Sequence, residues 1–142
     1  MSVYTQKTTV RVLYGDTDAG KVVYNANYLR YFEMGRSELM REKICSYNEI
    51  EKMGFTLPVI EAWARYKAPA VYDDLLTIET NISEVSKLKC TFNYRIYRKE
   101  KDGEKQKLLA KGYTVHAAVD ANGRLTGLPE DIIKKISSIA AK

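Results

Sequence analysis

The chain has 142 residues, 45% of them hydrophobic and 29% charged, with a formal net charge of +5. That is the size and balance of one globular domain, 1–142, with enough chain to bury a core without disulfide staples. It excludes intrinsic disorder, and the absence of a long apolar run or of a signal-peptide pattern leads us to expect neither membrane insertion nor secretion.

Thr8, Val10, Val12 and Tyr14 alternate with Thr9, Arg11 and Leu13, the period-two pattern of a first strand ending at Gly15. The acidic loop Gly15-Asp16-Thr17-Asp18-Ala19-Gly20 follows directly. From Asn25 the spacing becomes helical, with Tyr28, Phe32, Gly35 and Leu39 on one side and Arg30, Glu33, Arg36, Glu38 and Arg41 on the other. Asn25 is the expected N-cap, its side-chain oxygen accepting from a first-turn N–H. Gly35 costs about 1 kcal/mol of helix propensity relative to alanine, which predicts a close approach to another element.

Ser46 to Met53 reads as a shorter helix stopped by Gly54, and Leu57 to Lys67 as a strand. Pro69 and Asp73-Asp74 mark a turn. Leu76, Ile78, Thr80 and Ile82 then share one strand face, and Cys90, Phe92, Tyr94 and Ile96 the next. A charged turn at Lys101 to Glu104 leads into a strand over Leu109 to Val119, closed by Asn122-Gly123. Pro129 opens a terminal helix carrying Ile132, Ile133, Ile136 and Ile139. Strand, long helix, then four long, largely antiparallel strands is an α+β order, with one helix available to cover one curved sheet. A five-stranded sheet with one covered face leaves edges and a second face to manage, so self-association is expected.

Cys45 and Cys90 lack CxxC or metal-ligand spacing and read as reduced thiols of a cytoplasmic protein. Lys87, Lys89, Arg95, Arg98, Lys99, Lys101, Lys105, Lys107 and Lys111 read either as solvated strand positions or as contacts to a polyanion such as a nucleotide, coenzyme A or nucleic acid. The nucleic-acid reading rests on charge alone.

The chemistry-bearing pattern is a carboxylate beside a helix start, where unpaired N–H groups and the positive end of the macrodipole form an anion site. The segments Tyr14-Gly15-Asp16-Thr17-Asp18-Ala19-Gly20, Val22-Val23-Tyr24-Asn25-Ala26-Asn27-Tyr28 and Tyr72 to Thr80, with the approach Tyr66-Lys67-Ala68-Pro69-Ala70 and the turn at Asp120 to Gly123, together resemble the 4-hydroxybenzoyl-CoA thioesterase family. The resemblance implies the hot-dog fold, a five-stranded sheet wrapped around the long helix. It also implies dimers joined edge to edge, commonly paired into tetramers, with active sites at the dimer interface and acyl-CoA as substrate. No cofactor is implied, because a thioester is already an activated acyl group.

The same resemblance makes Asp18 the catalytic carboxylate and the backbone N–H of Tyr24 the donor that polarises the thioester carbonyl. Asp18 then attacks directly or activates water; both routes are open. Asp16 reads as a loop brace. Asn25 departs from the subgroup most resembled, where histidine follows the tyrosine; asparagine can hold water or the thioester oxygen but cannot shuttle a proton. His116, the only histidine, reads as structural. Glu61 is a candidate for reaching the partner subunit's site. Ser86, Lys87 and Lys89 match the family's coenzyme A-binding turn. Two other readings stand beside hydrolysis: a non-catalytic acyl-CoA or acyl-carrier binding scaffold, and a hydratase or dehydratase of the same fold, which Asn25 disfavours.

Overall fold

The computed structural model describes residues 3–100 and 105–141, so the expected turn at Lys101 to Glu104 lies outside the described residues. Five strands form one antiparallel sheet in the order β1 (Gln6–Arg11), β4 (Leu75–Val85), β5 (Lys89–Lys99), β6 (Gln106–Ala117) and β3 (Val59–Tyr66). The 17-residue helix α1 (Asn27–Lys43) lies across one face, about 25 Å long at 1.5 Å per residue. This is the expected hot-dog arrangement. No helix among the described residues is long and apolar enough to cross a membrane.

The strand alternation does the covering. Leu76, Ile78, Thr80 and Ile82 of β4, and Cys90, Phe92, Tyr94 and Ile96 of β5, are all buried. Against them α1 buries Tyr28, Tyr31, Phe32, Gly35, Leu39 and Met40. Phe32 stacks on Tyr94 with ring centroids 4.3 Å apart and planes 5° from parallel. Both cysteines are free and buried, and burial pushes the Cys90 thiol up to about 12. Helix α2 (Tyr47–Lys52) starts with a capping box between Ser46 and Glu49 and ends before Gly54, whose φ is +96°. Helix α3 (Glu130–Ile139) follows Pro129 and buries Ile132 and Ile136.

Gly35 is the close approach that its helix position implied. A Cβ there would run into Thr80 Oγ1 and come within 2.8 Å of Ile78 Cγ2. Both atoms sit on β-branched side chains held in β4 and have little room to yield. Gly35→Ala is expected to lower stability by about 1–2 kcal/mol, the overpacking exceeding the gain in helix propensity. A melting temperature equal to or above that of the parent would show that the sheet gives way instead.

Besides shifts of one to three residues at other element ends, two boundaries and one added ribbon differ from the sequence reading. The first strand ends at Arg11, short of the expected Gly15, because Tyr14–Asp16 close a 3-10 turn. The long helix starts at Asn27 with Ala26 as its N-cap, and no side chain caps it. A two-residue ribbon, Phe55–Thr56 (β2) with Val119–Asp120 (β7), was not anticipated, since two-residue strands carry no periodicity to read.

Candidate active site

The acidic loop is fixed from both ends. Thr17 bridges to Val23 in antiparallel fashion, and between them the Asp18 N–H donates to Val22 C=O and the Lys21 N–H to Asp18 C=O, each at 2.9 Å. Lys21 has φ of +69°, the left-handed geometry such a tight turn requires. The Asp18 side chain is exposed, with Oδ1 accepting from the Gly20 N–H at 2.8 Å. Its Oδ2 accepts from no described residue, which leaves one carboxylate oxygen open to solvent or substrate.

Asp16 is built differently. It is buried, and its Oδ2 accepts from the Leu13 N–H and the Tyr31 hydroxyl, both at 2.9 Å. Arg30 lies 3.8 Å from its Oδ1. Burial and the bond to Asp16 together raise the Tyr31 phenol well above its ordinary value, so the pair stays a neutral donor on a carboxylate. The backbone of the same residue ties the loop to the helix, for Asp16 C=O accepts from the Tyr24 N–H at 2.9 Å and from the Asn27 side-chain amide at 2.8 Å. Asp16 is a brace, with Asn27 and Tyr31 as partners that sequence reasoning missed; only the apparent helix face, not the sequence spacing, connects them to the loop.

That bond to Asp16 alters the expected oxyanion donor. The Tyr24 N–H is already committed, because the chain must close the loop before it enters α1. The N–H groups of Asn25 and Ala26, which follow, donate to no described residue. Asn25 itself stands one residue outside the cap, exposed, and its carbonyl accepts from the Tyr66 hydroxyl at 3.1 Å. Asn25, Val22, Tyr28, Tyr66, Ala68 and Pro69 line a recess of about 360 Å³ at this helix start, within the size range of small-ligand sites. Its walls are mostly apolar.

The remaining candidates gather elsewhere. Glu61, Ser86 and Lys89 line one groove of about 820 Å³ together with Thr91, Val115 and the end of α3. Glu61 accepts from the Tyr113 hydroxyl at 3.0 Å, and this bond to a carboxylate raises the Tyr113 phenol. Lys87 does not join them: its stem packs over Gly127, where a Cβ would meet its Cε at 2.5 Å. β4 separates the two sites, since Asp74, at its start, accepts the Val12 N–H near the acidic loop, while Ser86 follows its other end. Eleven residues of strand span roughly 35 Å at about 3.3 Å each. One chain therefore does not bring Asp18 to Lys89.

β3 forms an edge of the sheet and carries exposed Val59, Ile60, Trp63 and Tyr66. His116 is buried on β6, held between Thr114 Oγ1 at 2.8 Å and Leu57 C=O at 2.9 Å.

A sheet wrapped on one helix, with a free carboxylate in the turn preceding that helix, defines a hot-dog domain of the thioesterase type. The sequence profile of the Thioesterase-like superfamily matches residues 12–136, and the chain belongs to that family. It is 37% identical over 91 residues to the acyl-CoA thioester hydrolase YbgC of Escherichia coli, covering 64% of this chain and 68% of that protein. A hypothetical protein from Thermus thermophilus superposes with a TM-score of 0.88 at 29% identity, over 98% of this chain and 100% of that one. A structure of 4-hydroxybenzoyl CoA thioesterase shares the fold, with a TM-score of 0.85 at 21% identity over 93% of this chain and 98% of that one.

Proposed function

We propose that this protein hydrolyses acyl-CoA thioesters to a free acid and coenzyme A, with Asp18 as the base or nucleophile. What supports the reading is one loop, closed by the Thr17–Val23 bridge, that carries an exposed carboxylate with an open oxygen and runs into two unengaged N–H groups at the start of α1. Asn25 and Ala26, not Tyr24, then supply the amides that stabilise the tetrahedral oxyanion, reinforced by the helix dipole. Tyr24 lends only its side chain and its place in the loop. The Asn25 amide side chain is suited to hold the attacking water or the thioester oxygen, with no proton transfer of its own.

The acidic loop and the Glu61–Ser86–Lys89 groove lie at opposite ends of one sheet. Antiparallel pairing of two copies along β3 reverses the second sheet, and so presents the partner's groove toward the first copy's helix start. This supports a homodimer as the working unit, with tetramers of the kind found in the family, Lys89 and Ser86 holding phosphates of coenzyme A and Glu61 ordering water near the thioester.

Release of thiol from short, long and aromatic acyl-CoAs by the purified protein tests the reading. Lys89→Glu is expected to raise KM for the preferred acyl-CoA several-fold with kcat little changed, and to leave hydrolysis of the matching N-acetylcysteamine thioester, which lacks the nucleotide, unaffected. Saturable binding of acyl-CoA without turnover across the whole panel would favour the scaffold role instead.

A further inference from the structure

The face of the sheet turned away from α1 carries a second constellation. Strand register sets Lys7, Glu79, Arg95, Lys111 and Arg65 side by side in one row across all five strands. Lys7 and Glu79 pair at 3.9 Å. The other three are cations on adjacent strands, directly opposite one another, an arrangement that repels. Neither a salt bridge nor a side-chain hydrogen bond joins any of the three to another described residue.

In the next row Asn81, Asn93, Tyr113 and Trp63 stand in register. Trp63 and Tyr113 stack with centroids 5.7 Å apart and planes 21° from parallel, and Trp63 is 42% exposed. Between the rows lies a cavity of about 350 Å³ lined by Trp63, Tyr113, Asn81, Asn93, Arg95, Lys111 and also Glu79, whose charge is shared with Lys7. It combines an aromatic platform, two side-chain amides that bond no described residue, and clustered positive charge beside the one carboxylate of Glu79.

We propose that this outer face holds a nucleoside diphosphate at a site separate from Asp18. The base stacks on the Trp63–Tyr113 platform, the Asn81 and Asn93 amides address its polar edge or the ribose, and the phosphates offset the charges of Arg95 and Lys111, which line the cavity, with Arg65 beside them in the row. A bare phosphate would leave the platform unused. An extended nucleic acid would need a platform for each of several bases, and the cavity has room for one ring. A second copy seated on this face would add its own cation row to the first. The proposal does not depend on the role given to Asp18.

Trp63 is the only tryptophan, so its fluorescence reports this cavity directly. ADP is expected to quench it saturably, with the same affinity by calorimetry. The double variant Arg95→Gln/Lys111→Gln is expected to weaken ADP at least tenfold with an unchanged circular dichroism spectrum. It should leave kcat and KM for acyl-CoA within twofold. Each of four results would overturn the proposal. They are no saturable response to millimolar ADP; a response indifferent to the double substitution; a KM for acyl-CoA that rises in step with the loss of ADP, placing the substrate's own nucleotide here; and a change in oligomeric mass without ADP binding, making this face a contact between copies.

Discussion

Asp18→Asn is expected to lower kcat for acyl-CoA hydrolysis by about 10²–10⁴-fold, the range supplied by a positioned base or nucleophile, with KM, oligomeric mass and melting temperature little changed. The turn itself survives the substitution, because the one structural bond of the side chain is accepted by Oδ1 from the Gly20 N–H, and an asparagine oxygen accepts it equally well. What is lost is the charge, and with it the ability to take a proton from water or to attack the acyl carbon. The oxyanion amides of Asn25 and Ala26 remain, so residual turnover above the uncatalysed rate should persist. A variant that kept near-normal turnover would remove Asp18 from the chemistry. In single-turnover hydrolysis in ¹⁸O-water by the parent enzyme, label in the protein's carboxylate identifies the aspartate as a nucleophile whose anhydride water opens at Cγ; a base sends the label only to the acid product.

The sequence carried the sheet and helix faces because their periods are strong and local: every residue assigned to the inward faces of β4 and β5 is buried. Gly35 was legible for the same reason, since a glycine in a helix needs a steric explanation. The carboxylate pair could be split into brace and candidate acid only through the family resemblance, since position in the loop alone allows either role. The donor to the oxyanion could not, because the fate of the Tyr24 N–H depends on where the Asp16 carbonyl points, and backbone hydrogen bonds across a loop leave no side-chain pattern. The helix start moved from Asn25 to Asn27 for a related reason. Asn27 uses its amide on Asp16 C=O, and Asn25, the expected cap, stands one residue outside the cap position with no capping bond from its side chain. The resemblance groups Lys87 with Ser86 and Lys89, and the hairpin turn sends its stem over Gly127. The cation row on the outer face is invisible without register, because Arg65, Glu79, Arg95 and Lys111 are close only across strands.

Acidification should destabilise the fold through His116, and the effect should be large for a single side chain. The ring is 1% exposed. Nδ1 faces Leu57 C=O, which can only accept, so Nδ1 carries the hydrogen and Nε2 is the acceptor. The Thr114 hydroxyl therefore donates to Nε2, and the Tyr94 hydroxyl in turn donates to Thr114 Oγ1 at 2.6 Å. A second proton on the ring would reverse that chain in a buried site. Burial is the main cause that lowers His116 to about 4 from 6.5; the bond to Leu57 C=O partly opposes it, and the nearby Arg36 charge adds to it. With the folded value below the unfolded one, the unfolded chain binds the extra proton first. Stability is then complete above about pH 6.5 and is lost as pH falls toward 4, by roughly 3 kcal/mol at about 1.4 kcal/mol per pH unit. Urea unfolding at pH 7.5 and 4.5 isolates the effect as a difference: wild type should lose about 2–3 kcal/mol more than His116→Gln, which has no proton to gain. Parallel losses in the two proteins would mean that the ring protonates freely inside the fold. A histidine neutral down to this range and enclosed by Thr114, Leu57 and Phe92 serves the packing of β6, the structural role its place in the strand implied.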